Sequence, residues 1–316
     1  MQSAYLAISY KCNQHCSFCP CSKEEAKYPY VALPELKKAA AEFVSEQNID
    51  TIVISGGEPT IHPNFIEFLQ YTTKELGLHT VVLSNGERYS DMQFINQIKE
   101  KADISRLTAI TTIHSQNPDE HESINGSKGS FMRSTNGLRN LCAIGADVII
   151  KHCITKRNYK KLEQFYSFVD EAFPPQICVQ LCSIDYCGMD ASEIESHMLS
   201  FVELQPYLEK MFDLYIANRN AGSERYMYAI NMPFCACDPY YWDILTPRSD
   251  TYSGYASPDS EGEAVKQTNI ESNVGTFADA CRHCAAAEMC PGTYRTAFEY
   301  FGNRIISPYS MEESET

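Results

Sequence analysis

No stretch of this 316-residue chain carries the roughly 18 consecutive apolar residues that a membrane-spanning helix requires. The opening segment, Met1-Gln2-Ser3-Ala4-Tyr5-Leu6, does not set a basic stretch ahead of an apolar one. No secretory signal is therefore expected, and the cytoplasm is the expected compartment. Positive charge is scarce: 26 Lys and Arg stand against 41 Asp and Glu, a formal net charge of −15. That balance argues against a nucleic-acid partner and against an anionic membrane surface. The closest approach to a basic patch, Lys23, Lys27, Lys37 and Lys38, reads as solvated side chains on a helix and its approach. Repeats at solenoid spacing and low-complexity tracts are missing too. What remains is ordinary globular composition, with 44% hydrophobic and 21% charged residues.

Short apolar runs alternate with helix-period stretches as far as about residue 220. The runs Ala4–Ser9, Thr51–Ser55, Thr80–Ser84, Leu107–His114, Val148–Thr155 and Ile177–Ser183 have the length and β-branched content of buried strands. Amphipathic stretches lie between them: Pro34–Gln47, Asn64–Leu76, Asp91–Ala102, Phe131–Ile144 and Asn158–Phe173, with another at Glu193–Asn220. This alternation implies parallel strands joined by right-handed crossovers. The expected class is α/β, a partial (βα)6 TIM-like barrel over 1–220, although periodicity alone does not separate it from a flat doubly wound sheet. Residues 235–280 hold few apolar runs and many turn formers, so 221–316 reads as a small cysteine-rich domain.

Fourteen cysteines are many for a chain expected to stay in a reducing compartment, where they suggest metal or redox chemistry. Cys12, Cys16 and Cys19 form a C-x3-C-x2-C loop just past the first strand, and α/β proteins place their chemistry at such strand ends. Three thiolates hold three irons of a cubane and leave the fourth open to another ligand. Zinc is the alternative on this loop alone, with Cys21 or His15 completing a tetrahedron. The second strand runs into Gly56-Gly57-Glu58-Pro59. Glycines there allow close approach of a ligand to the backbone, and Glu58 can accept a charged hydrogen bond from an ammonium group.

The cysteine loop after strand one and Gly-Gly-Glu-Pro after strand two together resemble the radical S-adenosylmethionine (SAM) superfamily. The resemblance implies that Cys12, Cys16 and Cys19 ligate a [4Fe–4S] cluster and that Phe18 lies against the adenine of SAM. It implies that Gly56, Gly57 and Glu58 contact the methionine amino group. Polar groups at later strand ends, Ser84, Asn85, His114 and Ser115, are implied to hold the methionyl carboxylate and ribose. His114 reads equally well as a core histidine. Lys151, Thr155 and Asn158 are named only for their place at the end of strand five. The implied chemistry is reductive cleavage of SAM to a 5′-deoxyadenosyl radical that takes hydrogen from a substrate.

Near the end, Cys281, Cys284 and Cys290 give C-x2-C-x5-C, and Cys235 or Cys237 can supply a fourth ligand, with Cys235 favoured. A zinc knuckle fits this spacing as well. Beside a radical SAM loop, the arrangement resembles the auxiliary-cluster extension of the SPASM/twitch type and implies one auxiliary iron–sulfur cluster, [4Fe–4S] in kind. His121, Ile124-Asn125-Gly126 and Gly129-Ser130-Phe131 add a likeness to peptide-modifying radical SAM maturases, of which the His-Xaa-Ser-system maturases match best in layout. The expected partners are a precursor peptide and a flavodoxin- or ferredoxin-type electron donor. Strand one begins within ten residues of Met1, which leaves no room for a leader-binding module, so a leader-peptide-binding partner is a further expectation. A small-metabolite substrate is the alternative enzyme reading. A non-catalytic metal protein is the third, against which Gly56-Gly57-Glu58-Pro59 speaks.

Overall fold

The computed structural model of the chain describes residues 2–21, 25–247, 252–267 and 274–309. Lys23 lies outside the described residues. The strands are β1 (Ser3–Ser9), β2 (Thr51–Gly56), β3 (His79–Ser84), β4 (Leu107–Thr112), β5 (Asp147–Ile154), β6 (Cys178–Ser183), β7 (Met227–Ile230), β8 (Gly254–Pro258), β9 (Ala264–Lys266), β10 (Val274–Thr276) and β11 (Thr293–Tyr294). The α-helices are α1 (Leu33–Gln47), α2 (Phe65–Gln70), α3 (Met92–Lys101), α4 (Pro118–Asn125), α5 (Ser130–Ala143), α6 (Leu162–Ala172), α7 (Ala191–His197), α8 (Phe201–Asn220) and α9 (Arg295–Phe301). The six strand–helix units expected from the alternation are all present, and the class is α/β with a parallel sheet.

Local chemistry explains the helices. In α1 the apolar positions Leu36, Ala39, Ala40 and Phe43 recur on one face and are buried, Pro34 sits in the first turn, and Asn48 ends the helix in the left-handed region. Asp91 caps α3 through the backbone N–H of Gln93. Ser200 and Glu203 close a reciprocal capping box on α8. No helix among the described residues is long and apolar enough to cross a membrane.

The chain forms two compact units, and a single cut near residue 220 does not separate them. The first holds 1–113, 117–150 and 251–270; the second holds 114–116, 151–250 and 271–316. In the first, the strand order is β9-β8-β1-β2-β3-β4-β5. β1 pairs in parallel with β2 on one side, Ala4 opposite Ile52, and with β8 on the other, Tyr5 opposite Tyr255. The turn-rich stretch after 235 thus contributes a parallel strand to the first unit. β8 escaped the sequence pattern because it is short, contains Gly254 and Pro258, and is held by packing: a Cβ on Gly254 would sit 2.6 Å from the Phe43 ring. In the second unit the end of β5 leads to β6 and then β7, with Val179 opposite Met227. β10 and β11 form a separate antiparallel pair.

Candidate functional site

The first group of site residues is built where β1 and β2 end together. The backbone N–H of Gly57 donates to Ser9 O at 2.7 Å and that of Glu58 to Lys11 O at 2.9 Å. Both positions require glycine. Gly56 has φ +123°, and a Cβ there would stand 2.0 Å from Ser9 O, while one on Gly57 would stand 2.3 Å from Lys11 O. The main chain after β2 is thereby pressed against the segment that enters the cysteine loop.

Glu58 is buried at 1% exposure and its carboxylate is heavily used. Oε1 accepts from the Thr60 backbone N–H (2.9 Å), the Thr60 hydroxyl (2.5 Å) and the Ser84 hydroxyl (2.8 Å). Oε2 accepts from the Asn85 backbone N–H at 2.6 Å, which by count leaves it one lone pair. Burial pushes the carboxyl pKa up, and these hydrogen bonds pull it back. Ser84 and Asn85 are thus brought to Glu58, and the Asn85 side chain also donates to Asn13 Oδ1 in the cysteine loop at 2.8 Å.

Within that loop, the Gln14 backbone N–H donates to Cys12 Sγ (3.4 Å) and the Cys16 thiol to Gln14 Oε1 (3.7 Å). Phe18 is buried. Burial raises the Cys12 thiol to about 11, with the charges of Glu58 and Cys19 adding to it. Burial and the neighbouring Cys19 and Cys12 push Cys16 upward as well, whereas a hydrogen bond from Cys21 lowers Cys19 to about 7. Three sulfurs that repel one another as thiolates fit a polycationic iron cluster, which would neutralise them. Among the described residues no three His, Cys, Asp or Glu side chains are gathered closely enough to hold a single metal ion.

Sequence reasoning missed what holds the loop in place. Gln14 Nε2 donates to Glu87 Oε1 at 2.7 Å, and Glu87 also accepts from Ser127 Oγ (3.1 Å) and, at Oε2, from Arg133 Nε (2.6 Å). The backbone N–H groups of His15 and Ser17 donate to Asn125 O and Ile124 O at 2.8 and 2.9 Å. Ile124, Asn125 and Gly126, noted above only as part of a family likeness, make this clamp. The signal was present in the run; its partners, 110 residues upstream, were not.

His114 and Ser115 lie in the second unit and are buried. His114 O accepts from Asn158 Nδ2 at 3.0 Å, and the same amide donates to Cys153 O while its oxygen accepts from the Thr155 N–H. Asn158 is therefore committed to backbone groups.

The second unit also gathers the late cysteines. Cys235, Cys281, Cys284 and Cys290 line one cavity of about 360 Å³ (open solvent at its mouth included), with Pro233, Ala286 and Ile306 among its apolar walls. Cys237 does not line it; it is buried, and its carbonyl accepts from the Tyr309 hydroxyl at 2.9 Å. Cys290 Sγ accepts from the backbone N–H groups of Phe234 (3.5 Å) and Gly292 (3.4 Å). Burial raises Cys235 to about 12, with Cys290, Cys281 and Cys284 adding their charge, so this donor set too suits a cationic cluster. Trp242 packs on Phe234 and Tyr309 and donates to Phe234 O at 3.0 Å, which makes it part of this small core. In the first unit Tyr255 stacks on Tyr5 with ring centroids 4.9 Å apart. Tyr240 is exposed.

Comparison with known proteins adds three findings. A family model described as the radical SAM superfamily matches residues 6–169. The chain is 26% identical over 157 residues to the antilisterial bacteriocin subtilosin biosynthesis protein AlbA of Bacillus subtilis, covering 49% of this chain and 34% of AlbA. It is 25% identical over 168 residues to the Fe-coproporphyrin III synthase of Methanosarcina barkeri, covering 53% and 41%. The chain thus spans about a third to two fifths of the length of these curated relatives. Streptococcus suis SuiB bound to S-adenosylmethionine shares the fold, with TM-score 0.66 at 14% identity over 97% of this chain and 76% of SuiB. SuiB bound to precursor peptide SuiA gives 0.64 at 13% over 97% and 74%.

Proposed function

The chain belongs to the radical SAM superfamily, and from that we propose that it modifies a ribosomally made precursor peptide by hydrogen abstraction, installing a cross-link or another C–H-derived change. The observation that carries the reading is the pairing of two cysteine groups in one chain. One is an open three-thiol loop beside Gly56-Gly57-Glu58; the other is a four-cysteine cavity. AlbA, a bacteriocin biosynthesis protein, and SuiB, solved with a precursor peptide, support the peptide as substrate class.

When bound, the SAM-binding [4Fe–4S] cluster and SAM supply a 5′-deoxyadenosyl radical. Cys12, Cys16 and Cys19 would hold that cluster. The carbonyl-lined backbone at Gly56 and Gly57 and the spare acceptor site on Glu58 Oε2 would orient the methionine amino group. Ser84 and Asn85 would hold carboxylate and ribose, and Phe18 would cover the adenine. Cys235, Cys281, Cys284 and Cys290 would hold one auxiliary cluster that accepts the substrate electron or ligates the substrate. A flavodoxin- or ferredoxin-type protein would donate the electron.

A small-metabolite substrate is the second reading, favoured by the similarity to Fe-coproporphyrin III synthase. The test has two arms. Cys16→Ala should reduce 5′-deoxyadenosine formation with dithionite to background, and undiminished formation overturns the active-site assignment. Reconstituted enzyme given a candidate peptide encoded beside it should change that peptide's mass. Turnover of a tetrapyrrole with the peptide untouched moves the substrate to the second reading.

A further inference from the structure

The hydroxyl of Thr293 is one of several buried polar groups, Gln47 Oε1 and Thr111 Oγ1 among them, that have no hydrogen-bond partner among the described residues. Thr293 is 1% exposed, and its Oγ1 has no hydrogen-bond partner among the described residues. A buried hydroxyl without a partner costs on the order of 1–3 kcal/mol, so an acceptor is expected to reach it in the working protein. Thr293 lines the cavity that carries Cys235, Cys281, Cys284 and Cys290. It follows the turn Cys290-Pro291-Gly292, in which Gly292 has φ +73° and its N–H already donates to Cys290 Sγ at 3.4 Å. A Cβ on Gly292 would come within 2.9 Å of Thr276 O, so the turn is packed against β10 and holds Thr293 on the cavity wall.

We infer that Thr293 donates an O–H hydrogen bond to a sulfur of the auxiliary cluster and thereby sets its reduction potential. The inference rests on the proposal that these four cysteines hold a cluster. A donor at a cluster sulfur draws off electron density and stabilises the reduced, more negative form, so the potential rises. Phe234 and Gly292 supply two such donors from the backbone at Cys290, and Thr293 is the side-chain one.

A second cavity offers a competing role. Thr293 also lines a space of about 340 Å³ with Ile154, Ser183, Tyr186, Tyr294 and Ile305, where a substrate group could take the hydroxyl. Each polar side chain named there already has one partner: Ser183 Oγ donates to Asn231 O, Tyr186 Oη accepts from the Leu199 N–H at 3.2 Å, and Tyr294 Oη accepts from Asn231 Nδ2 at 2.7 Å. Thiolate and sulfide acceptors are what the first cavity would contain in abundance.

The experiment is a potentiometric EPR titration of the full reconstituted protein, following the cluster signal that SAM does not perturb. Thr293→Val, which keeps shape and removes the hydroxyl, should make that cluster about tenfold harder to reduce at a given potential, close to 59 mV more negative for a one-electron couple. Thr293→Ser should restore the wild-type midpoint. Thr293→Ala serves as a second hydroxyl-free variant. If both hydroxyl-free variants fail to assemble the cluster while Thr293→Ser assembles it, the hydroxyl serves assembly rather than potential and the inference falls. If Thr293→Ser fails as well, the position acts by packing and the inference falls. An unchanged midpoint in Thr293→Val, or a raised KM alone, overturns it and assigns the hydroxyl to the neighbouring cavity. Wild-type protein with no second cluster signal removes the auxiliary-cluster proposal itself, which is a different failure.

Discussion

Glu58 shows how one buried carboxylate can order a site before any ligand arrives. Four donors, from Thr60, Ser84 and Asn85, converge on it from the ends of two strands. In Glu58→Gln the amide oxygen can keep the three donors of Oε1, but the amide nitrogen then faces the Asn85 N–H, donor against donor. That mismatch should cost about 1–3 kcal/mol in a denaturant titration and weaken SAM binding in the same variant. Unchanged stability and affinity would mean that the carboxylate is not the organising group. His121 makes a second residue-scale case. Asn125 Nδ2 donates to its Nε2 at 2.9 Å, which requires a lone pair there and hence a neutral ring. Burial pushes its pKa down from 6.5 to about 4, against the opposing pull of Glu122 and Glu87. Between those values the unfolded chain binds the proton and the folded chain does not. Stability should therefore be full above pH 6.5 and fall as pH drops toward 4, by at most about 3 kcal/mol for this group. His197, lowered to about 4 by burial, adds a slope of the same sign. Melts of His121→Gln against wild type isolate the first share: the variant should lose less stability between pH 7 and pH 5.

At the scale of elements, the segment joining α4 to α5 works as a clamp on the cysteine loop. Asn117 caps α4, Gly126 ends it in the left-handed region, and the carbonyls of Ile124 and Asn125 near its end receive the N–H groups of Ser17 and His15. Gly126 lies so close that a Cβ there would stand 3.2 Å from His15. The charged half of the clamp is Glu87, 7% exposed, between Gln14 and Arg133. An exposed ion pair would be worth little, but this carboxylate is buried and triply bonded, so its removal leaves Gln14 and Ser127 without their acceptor. Glu87→Ala should cost about 2–3 kcal/mol and speed loss of iron from the SAM-binding cluster, read as the decay of its visible absorbance during chelation. Equal decay in variant and wild type would reduce Glu87 to a stability residue.

At the scale of the whole molecule, the two cysteine groups belong to different compact units, with the loop in the first and the four-cysteine cavity in the second. Each should load independently. Two [4Fe–4S] clusters correspond to about eight irons per chain, and the Cys12/Cys16/Cys19→Ala variant should keep about half, held by the second unit. Stoichiometric zinc in that variant instead of iron would replace the auxiliary cluster with a zinc knuckle.

The sequence alone determined those features whose signal is local. The six strands follow from short apolar runs and their helices from a period of 3.6, and the Cys12–Cys19 loop, the Cys281–Cys290 run and Gly56-Gly57-Glu58 follow from spacing within about a dozen residues. Tertiary structure decided everything that joins distant segments. It selected Cys235 over Cys237 for the cavity, because that choice depends on which thiol faces Cys281, Cys284 and Cys290. It turned Glu58 from an isolated acceptor into a hub, because Ser84 and Asn85 arrive only through strand pairing. It brought β8 from a turn-rich stretch to the edge of β1, where packing on Phe43 outweighs weak strand propensity. And it left the Thr293 hydroxyl buried without a partner among the described residues, since a lone threonine has no local pattern and its burial is set by the elements that close over it.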